Sequence, residues 1–217
     1  MGSLSCQISA LVLSFLGLIF LLIATVCNVW KFSSQARTLI IATWTYEGLW
    51  MSCATTSFGS VQCKRFSSLL SVDTHIQACR ALMITSLILG VCGTLLTLLG
   101  LKCTQLGSSS KKMKTRIAMI GGVIFILGGL SSMVAVSWYA ARITAQFFDS
   151  FYGGTKYELG YALYLGWAGS LLSILGGSFL TCSACKRKHR DQDDYRAGER
   201  RIYTKQPETI TSAKDYV

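Results

Sequence analysis

Four long runs without a charged side chain, separated by polar segments, set the plan of this chain. Residues 1–29 contain no Asp, Glu, Lys or Arg, and residues 8–27 supply the roughly 20 apolar positions needed to cross about 30 Å of hydrocarbon. Similar runs follow at residues 81–101 (between Arg80 and Lys102), 117–141 (between Arg116 and Arg142) and 159–185 (ending at Lys186). Each predicts a membrane-spanning helix, and none contains the chain's single proline, Pro207, so no proline kink is expected. The other reading of the first run is a cleaved leader, but no basic residues precede it and no persuasive small-residue cleavage site follows.

The polar segments fix an orientation. Residues 102–116 carry Lys102, Lys111, Lys112, Lys114 and Arg116 with no acid, and the fourth run is followed at once by Lys186, Arg187, Lys188 and Arg190. By the positive-inside rule both segments are cytoplasmic, as are both termini, which leaves residues 30–80 and 142–158 outside. Small residues recur in the third and fourth runs, including Ala118 with Gly122, Gly128 with Ser132, and the doublets Gly121-Gly122, Gly128-Gly129 and Gly176-Gly177. Lipid offers little hydrophobic drive between helices, so such positions predict a close-packed four-helix bundle.

Residues 30–80 read differently. Residues 39–46, with Ile, Thr, Trp and Tyr, predict a strand, and residues 50–56 and 60–66 predict a hairpin turning near Phe58-Gly59. If Cys53 faces Cys63, paired positions in that hairpin sum to 116. Alternation then puts Met51, Cys53, Val61, Cys63 and Arg65 on one face and Ser52, Ala54, Thr56, Gln62 and Lys64 on the other. The second face is polar with one charge. Lys64 either lines an aqueous path or is a solvated rim lysine; Arg65 reads more simply as a stem lying on Met51 with its head in water.

The composition agrees with a membrane protein: 51% apolar residues, 14% charged, mean hydropathy +0.45. The net charge of +11 gathers beside the apolar runs, which is a topology signal and gives no reason to invoke nucleic acid. Nine cysteines without a C-x-x-C pair of pairs give no zinc module, and no metal or cofactor is expected. The last 32 residues mix nine basic and six acidic side chains with few aliphatics, which predicts a disordered tail from residue 186 to 217. It ends in Asp215-Tyr216-Val217, an apolar residue with a free carboxylate, the form that a carboxylate-binding loop with strand addition captures. Cys103, Cys182 and Cys185 sit at the cytoplasmic ends of spans two and four, where palmitoylation is expected.

Taken together, Trp30, Gly48-Leu49-Trp50, Cys53, Cys63 and Arg80, placed between the first two of four spans, resemble the signature of the claudins, the tight-junction strand proteins. The likeness continues through Lys102-Cys103-Thr104, Ser137-Trp138-Tyr139, Lys156-Tyr157-Glu158-Leu159-Gly160 and the terminal Tyr216-Val217, so it covers nearly the whole chain. Residues 42–88 are most similar to claudin-ten of the anion-pore type, although the first loop is also similar to barrier claudins. The resemblance implies a membrane α+β fold: residues 1–185 as a four-helix bundle bearing a small extracellular antiparallel sheet of about five strands, assembled side by side in one membrane and face to face across two.

Several roles follow from that resemblance. Cys53 and Cys63 match the disulfide pair. Leu69 matches the tip that docks in cis on a neighbour, where Phe147, Phe148 and Leu159 match the receiving pocket; Phe148 and Tyr157 fall where trans contacts are made. Without the family, Phe147 and Phe148 would read as a cover on the bundle's outer end. Cation-selective members place an acid near Thr56 or directly after the second cysteine, and here those places hold neutral Thr56 and basic Lys64. Lys64, Arg65 and Arg37 therefore point to a path for anions such as chloride. Gln35 stands where the anion-pore type has a basic residue, and Ser150 where the second loop usually has proline. Implied partners are the chain itself and other claudins in cis and trans, scaffold proteins with PDZ domains of the zonula occludens type, membrane lipid and permeating small ions, at a tight junction of the plasma membrane. The alternatives are a barrier that does not conduct, or an auxiliary subunit of a channel or receptor, since calcium-channel gamma and peripheral myelin relatives share part of the signature. Enzymatic work is not expected: His75, Asp73, Glu47, Asp149 and Glu158 offer no nucleophile-base spacing.

Overall fold

Four helices and five strands alternate in a computed structural model that describes residues 2–38, 41–56, 58–65, 73–100, 111–148 and 157–204. The order is α1 (Gly2–Val26), β1 (Lys31–Thr38), β2 (Ile41–Glu47), β3 (Met51–Thr56), β4 (Val61–Arg65), α2 (Thr74–Gly100), α3 (Lys111–Phe148), β5 (Glu158–Leu159) and α4 (Tyr161–Thr204). Each helix contains a stretch long and apolar enough to cross a membrane: Ser5–Val26, Thr74–Gly100, Met113–Phe148 and Tyr161–Arg190. The helices pack in the ring order α2, α3, α4, α1, with α1 and α2 touching less.

The bundle is apolar on its outside as well as in its core. Leu16, Ile88, Leu95, Leu127, Val134 and Leu175 face outward, while Ser14, Ser86, Ser132 and Ser170 are buried between helices. Aliphatic side chains outside, and small residues including serines at the helix contacts, are what a lipid solvent favours. The glycine doublets explain how one helix serves two neighbours. On α3, Gly121 and Gly128 abut Thr97 and Ser86 of α2, while Gly122 and Gly129 abut Thr181 and Ile174 of α4. A Cβ at Gly176 of α4 would meet the backbone of Ser14 and Ala10 on α1. Ser132 and Ser170 then hydrogen-bond across α3 and α4 at 2.8 Å.

The sheet runs β4-β3-β2-β1-β5 and is antiparallel at every pairing described. Cys53 pairs with Cys63 and Ser52 with Lys64, so the expected sum of 116 holds throughout the hairpin. Gly59 turns it with φ of 79°, a left-handed conformation that favours glycine.

Three expectations change. The helix α4 continues to Thr204, where disorder was expected from residue 186. Beyond Lys186, eight of the eighteen residues to Thr204 are the good helix formers Lys, Arg, Gln and Glu, His189 contacts Asp193 at i,i+4 and 2.9 Å, and there is no proline before Pro207 to stop the helix. Leu159, expected to open the fourth span, lies in β5 as a partner of Lys31. The strand β1, KFSSQART, was not foreseen because it is mostly polar; pairing on both sides with β2 and β5 supplies what its composition lacks.

Candidate functional site

The joint between bundle and sheet explains the signature residues. The helix α1 ends at Val26, and its last carbonyls have no helical partner. Cys27 N–H donates to Ile23 O at 2.9 Å, the Trp30 indole N–H to Ala24 O at 2.9 Å, and the Trp50 indole N–H to Thr25 O at 2.8 Å. The first of these is the last i→i+4 bond of the helix; the next two carbonyls, Ala24 O and Thr25 O, are satisfied by tryptophans that stand at the sheet. Arg80 closes the joint from α2: only 7% exposed, its Nε–H donates to Leu49 O and its guanidinium lies 5.2 Å from the Trp50 ring centre. Leu49 is fully buried, and a Cβ on Gly48 would fall 2.6 Å from the Asn28 Cα. Replacing Trp50 by phenylalanine leaves Thr25 O without its donor and should cost about 1–3 kcal/mol, read as a lower unfolding temperature of the detergent-purified chain.

Above the joint, the register places one row of residues across all five strands: Leu159, Lys31, Glu47, Ser52 and Lys64. Since neighbours on a strand alternate, this row shares its face with Gln62, Ala54, Thr45 and Ser33 and, nearer the turn, with Thr56. The disulfide Cys53–Cys63 is in the adjacent row, with Tyr46 and Phe32, on the opposite face. The polar hairpin face expected from alternation is therefore one half of a larger polar face.

That larger face contains an acid that the hairpin alone did not reveal. Glu47 Oε2 is 2.7 Å from Lys31 Nζ, and Glu47 Oε1 accepts from Tyr157 Oη–H at 3.2 Å and from Ser52 Oγ–H at 3.3 Å. Lys31 also lies 4.2 Å from the centre of the Tyr157 ring. Glu47 is thus neutralised on the spot by Lys31, and the second loop is held to the sheet through Tyr157. Lys64 is exposed on the edge strand β4, opposite Ser52. With Lys31 and Glu47 cancelling, Lys64 is the charge left over in this row.

Other site expectations fall out unevenly. Thr56 shares the face with Lys64 but is not beside it: it stands four residues from Ser52, about 13 Å along the strand, where its hydroxyl meets Ser60 Oγ at the turn. Arg65 is exposed opposite Met51, on the other face. Arg37 is the extra residue of a bulge, between the pairs Ala36–Ala42 and Thr38–Ile41. Phe147 and Phe148 pack edge to face at 5.6 Å at the end of α3, Phe148 being 80% exposed, whereas Leu159 packs against the core beneath the sheet. Tyr157 also packs on that core, which makes it first of all a brace. Cys182 and Cys185 are exposed free thiols on α4. Leu69, Cys103, Asp215, Tyr216 and Val217 lie outside the described residues.

Comparison with known proteins bears on the signature directly. The profile of the PMP-22/EMP/MP20/Claudin family matches residues 3–180, and the chain is 44% identical to Claudin-19 of Homo sapiens over 202 residues, 91% of this chain and 90% of that protein. The chain belongs to the claudin family. It is likewise 45% identical to Claudin-15 of Bos taurus over 185 residues, covering 85% of the chain and 79% of that protein. With Claudin-7 of Homo sapiens it shares 40% identity over 221 aligned positions, spanning all of both chains. This claudin is accordingly a multi-pass tight-junction membrane protein that serves as a paracellular barrier or channel and associates with other claudins; it is not an enzyme.

Proposed function

We propose that this claudin forms a charge-selective paracellular channel that prefers anions such as chloride, as its likeness to claudin-ten of the anion-pore type first implied. The observation that carries the reading is the cross-strand row: its acid, Glu47, is held by Lys31 at 2.7 Å, while Lys64 stands exposed on the edge strand β4. An ion passing along this polar face meets Lys64 as the uncompensated positive charge of the described row. At about 5 Å a unit charge is worth about 1 kcal/mol in bulk water and about 3 kcal/mol at an effective dielectric of 20, before salt screening. Since RT is about 0.6 kcal/mol, even the lower value changes relative permeability about fivefold.

In this reading both termini are cytoplasmic, the sheet is outside, Cys103, Cys182 and Cys185 take palmitate, and Asp215-Tyr216-Val217 engages a PDZ scaffold of the zonula occludens type. Leu69 docks in cis on a neighbour near Phe147 and Phe148. The basic segments 102–116 and 186–190 support the sidedness.

Dilution potentials across epithelial monolayers lacking endogenous claudins test the ion preference. Expression should give chloride over sodium, and Lys64→Asp should reverse the order. A rise in resistance with no ion preference would replace the channel by a barrier.

A further inference from the structure

At the sheet end of the bundle, α2, α3 and β1 enclose a cleft of about 90 Å³ that the ion path does not use. It is lined by Asp73 and His75 at the start of α2, by Tyr139, Arg142 and Gln146 on α3, and by Lys31. Among the described residues Asp73 and Arg142 have no ion-pair partner, although they line the same space. Tyr139 is 2% exposed, and its buried hydroxyl has no hydrogen-bond partner among the described residues. A buried hydroxyl without a partner is costly, and a site with room and polar walls takes an occupant that satisfies it.

Charge narrows the occupant. Lys31 is matched by Glu47, so the cleft's unmatched groups are one cation, Arg142, and one anion, Asp73. A simple anion or cation meets one attracting and one repelling group there. A group carrying both signs fits.

Position narrows it further. On α3 the outward apolar stripe of Leu127, Leu130, Val134 and Trp138 leads at i+4 to Arg142, which is also exposed. Trp138, Tyr161 and Tyr164 are large exposed aromatics at this end of the bundle, the level at which such rings lie among lipid headgroups. The cleft therefore opens at headgroup depth on a lipid-facing surface.

We propose that this cleft binds the headgroup of a zwitterionic phospholipid, with the phosphate on Arg142, the ammonium on Asp73, and the Tyr139 hydroxyl donating to an ester or phosphate oxygen. This does not depend on which ion the channel prefers.

The test uses the full chain, purified in mild detergent, supplied with equimolar phosphatidylethanolamine and phosphatidylglycerol and read by native mass spectrometry. One phosphatidylethanolamine should be retained per chain, favoured about fivefold or more, about 1 kcal/mol by RT ln 5. Asp73→Asn should shift retention toward phosphatidylglycerol by a similar factor, because only the ammonium loses its acceptor. Arg142→Gln should lower retention of both lipids. Unchanged unfolding temperatures separate these effects from misfolding. The site is overturned if retained lipid follows the supplied ratio, or if Asp73→Asn leaves the ratio as in the native chain. Displacement of the lipid by an equal concentration of soluble phosphoethanolamine would overturn its assignment to membrane lipid.

Discussion

Valine at Gly160 is expected to abolish delivery of this claudin to the cell surface. The residue sits where the second loop passes under the sheet into α4, and a Cβ there would fall 2.1 Å from Val29 O, 2.6 Å from Val29 C and 2.8 Å from Trp30 C. All three are backbone atoms, so no side chain can swing aside. The same crossing holds two bonds, Gly160 N–H to Trp30 O at 2.8 Å and Ala162 N–H to Val29 O at 3.3 Å, and both would be stretched. Overpacking a tight site commonly costs about 1–3 kcal/mol, and contact with backbone puts this one at or above the top of that range. Surface biotinylation should find little Gly160→Val, and the purified protein should unfold well below the native chain. Gly59 gives the contrast. A Cβ there meets nothing within 4 Å, so alanine costs only the left-handed conformation, about 1–2 kcal/mol. A surface yield for Gly160→Val equal to that of Gly59→Ala would show that the crossing has slack.

Removing the disulfide, by Cys53→Ser together with Cys63→Ser, should be the next most damaging change, and its damage should be local. The bridge joins residues 10 apart in sequence, on the outermost hairpin. Closing a loop of that size removes about 2–3 kcal/mol of unfolded-chain entropy. The strand β4 has little else to hold it: all five of its residues are exposed, and among the described residues no strand pairs with its outer edge. The joint at Trp30, Trp50 and Arg80 lies on the other side of β3, so the bundle should survive. Hydrogen exchange should therefore accelerate in residues 51–65 while the helices keep their protection. Equal loss across helices and hairpin would mean that the bridge supports the whole fold.

The pattern of charge-free runs gives the four helices directly, because hydrocarbon thickness imposes a length that composition displays. The hairpin is legible for a different reason: a glycine at the turn and two cysteines leave one register that joins them. Legibility stops where partners decide. Nothing in KFSSQART marks a strand until β2 and β5 are beside it, and Leu159 is as apolar as the span it was joined to. The charge on the polar face suffers most from this. Glu47 enters the row only through pairing of β2 with β3, and Lys31 only through β1, so the hairpin by itself reveals Lys64 but not the compensated pair two and three strands away. Thr56 and Lys64 show the reverse error, since sharing a face conceals the separation between opposite ends of a strand.

The indole contacts at the end of α1 have a mechanical consequence. Trp30 and Trp50, the residues just before β1 and β3, grip adjacent carbonyls of one helix, which leaves little swivel between helix and sheet. A change in the tilt of α1 is then passed on undiminished. The edge strand β4 is three strands from β1, about 14 Å away, so a rotation of about 5° sweeps it through about 1 Å. Helices tilt to match the hydrocarbon around them. Bilayer thickness thereby becomes a gauge setting for the face that carries Lys64.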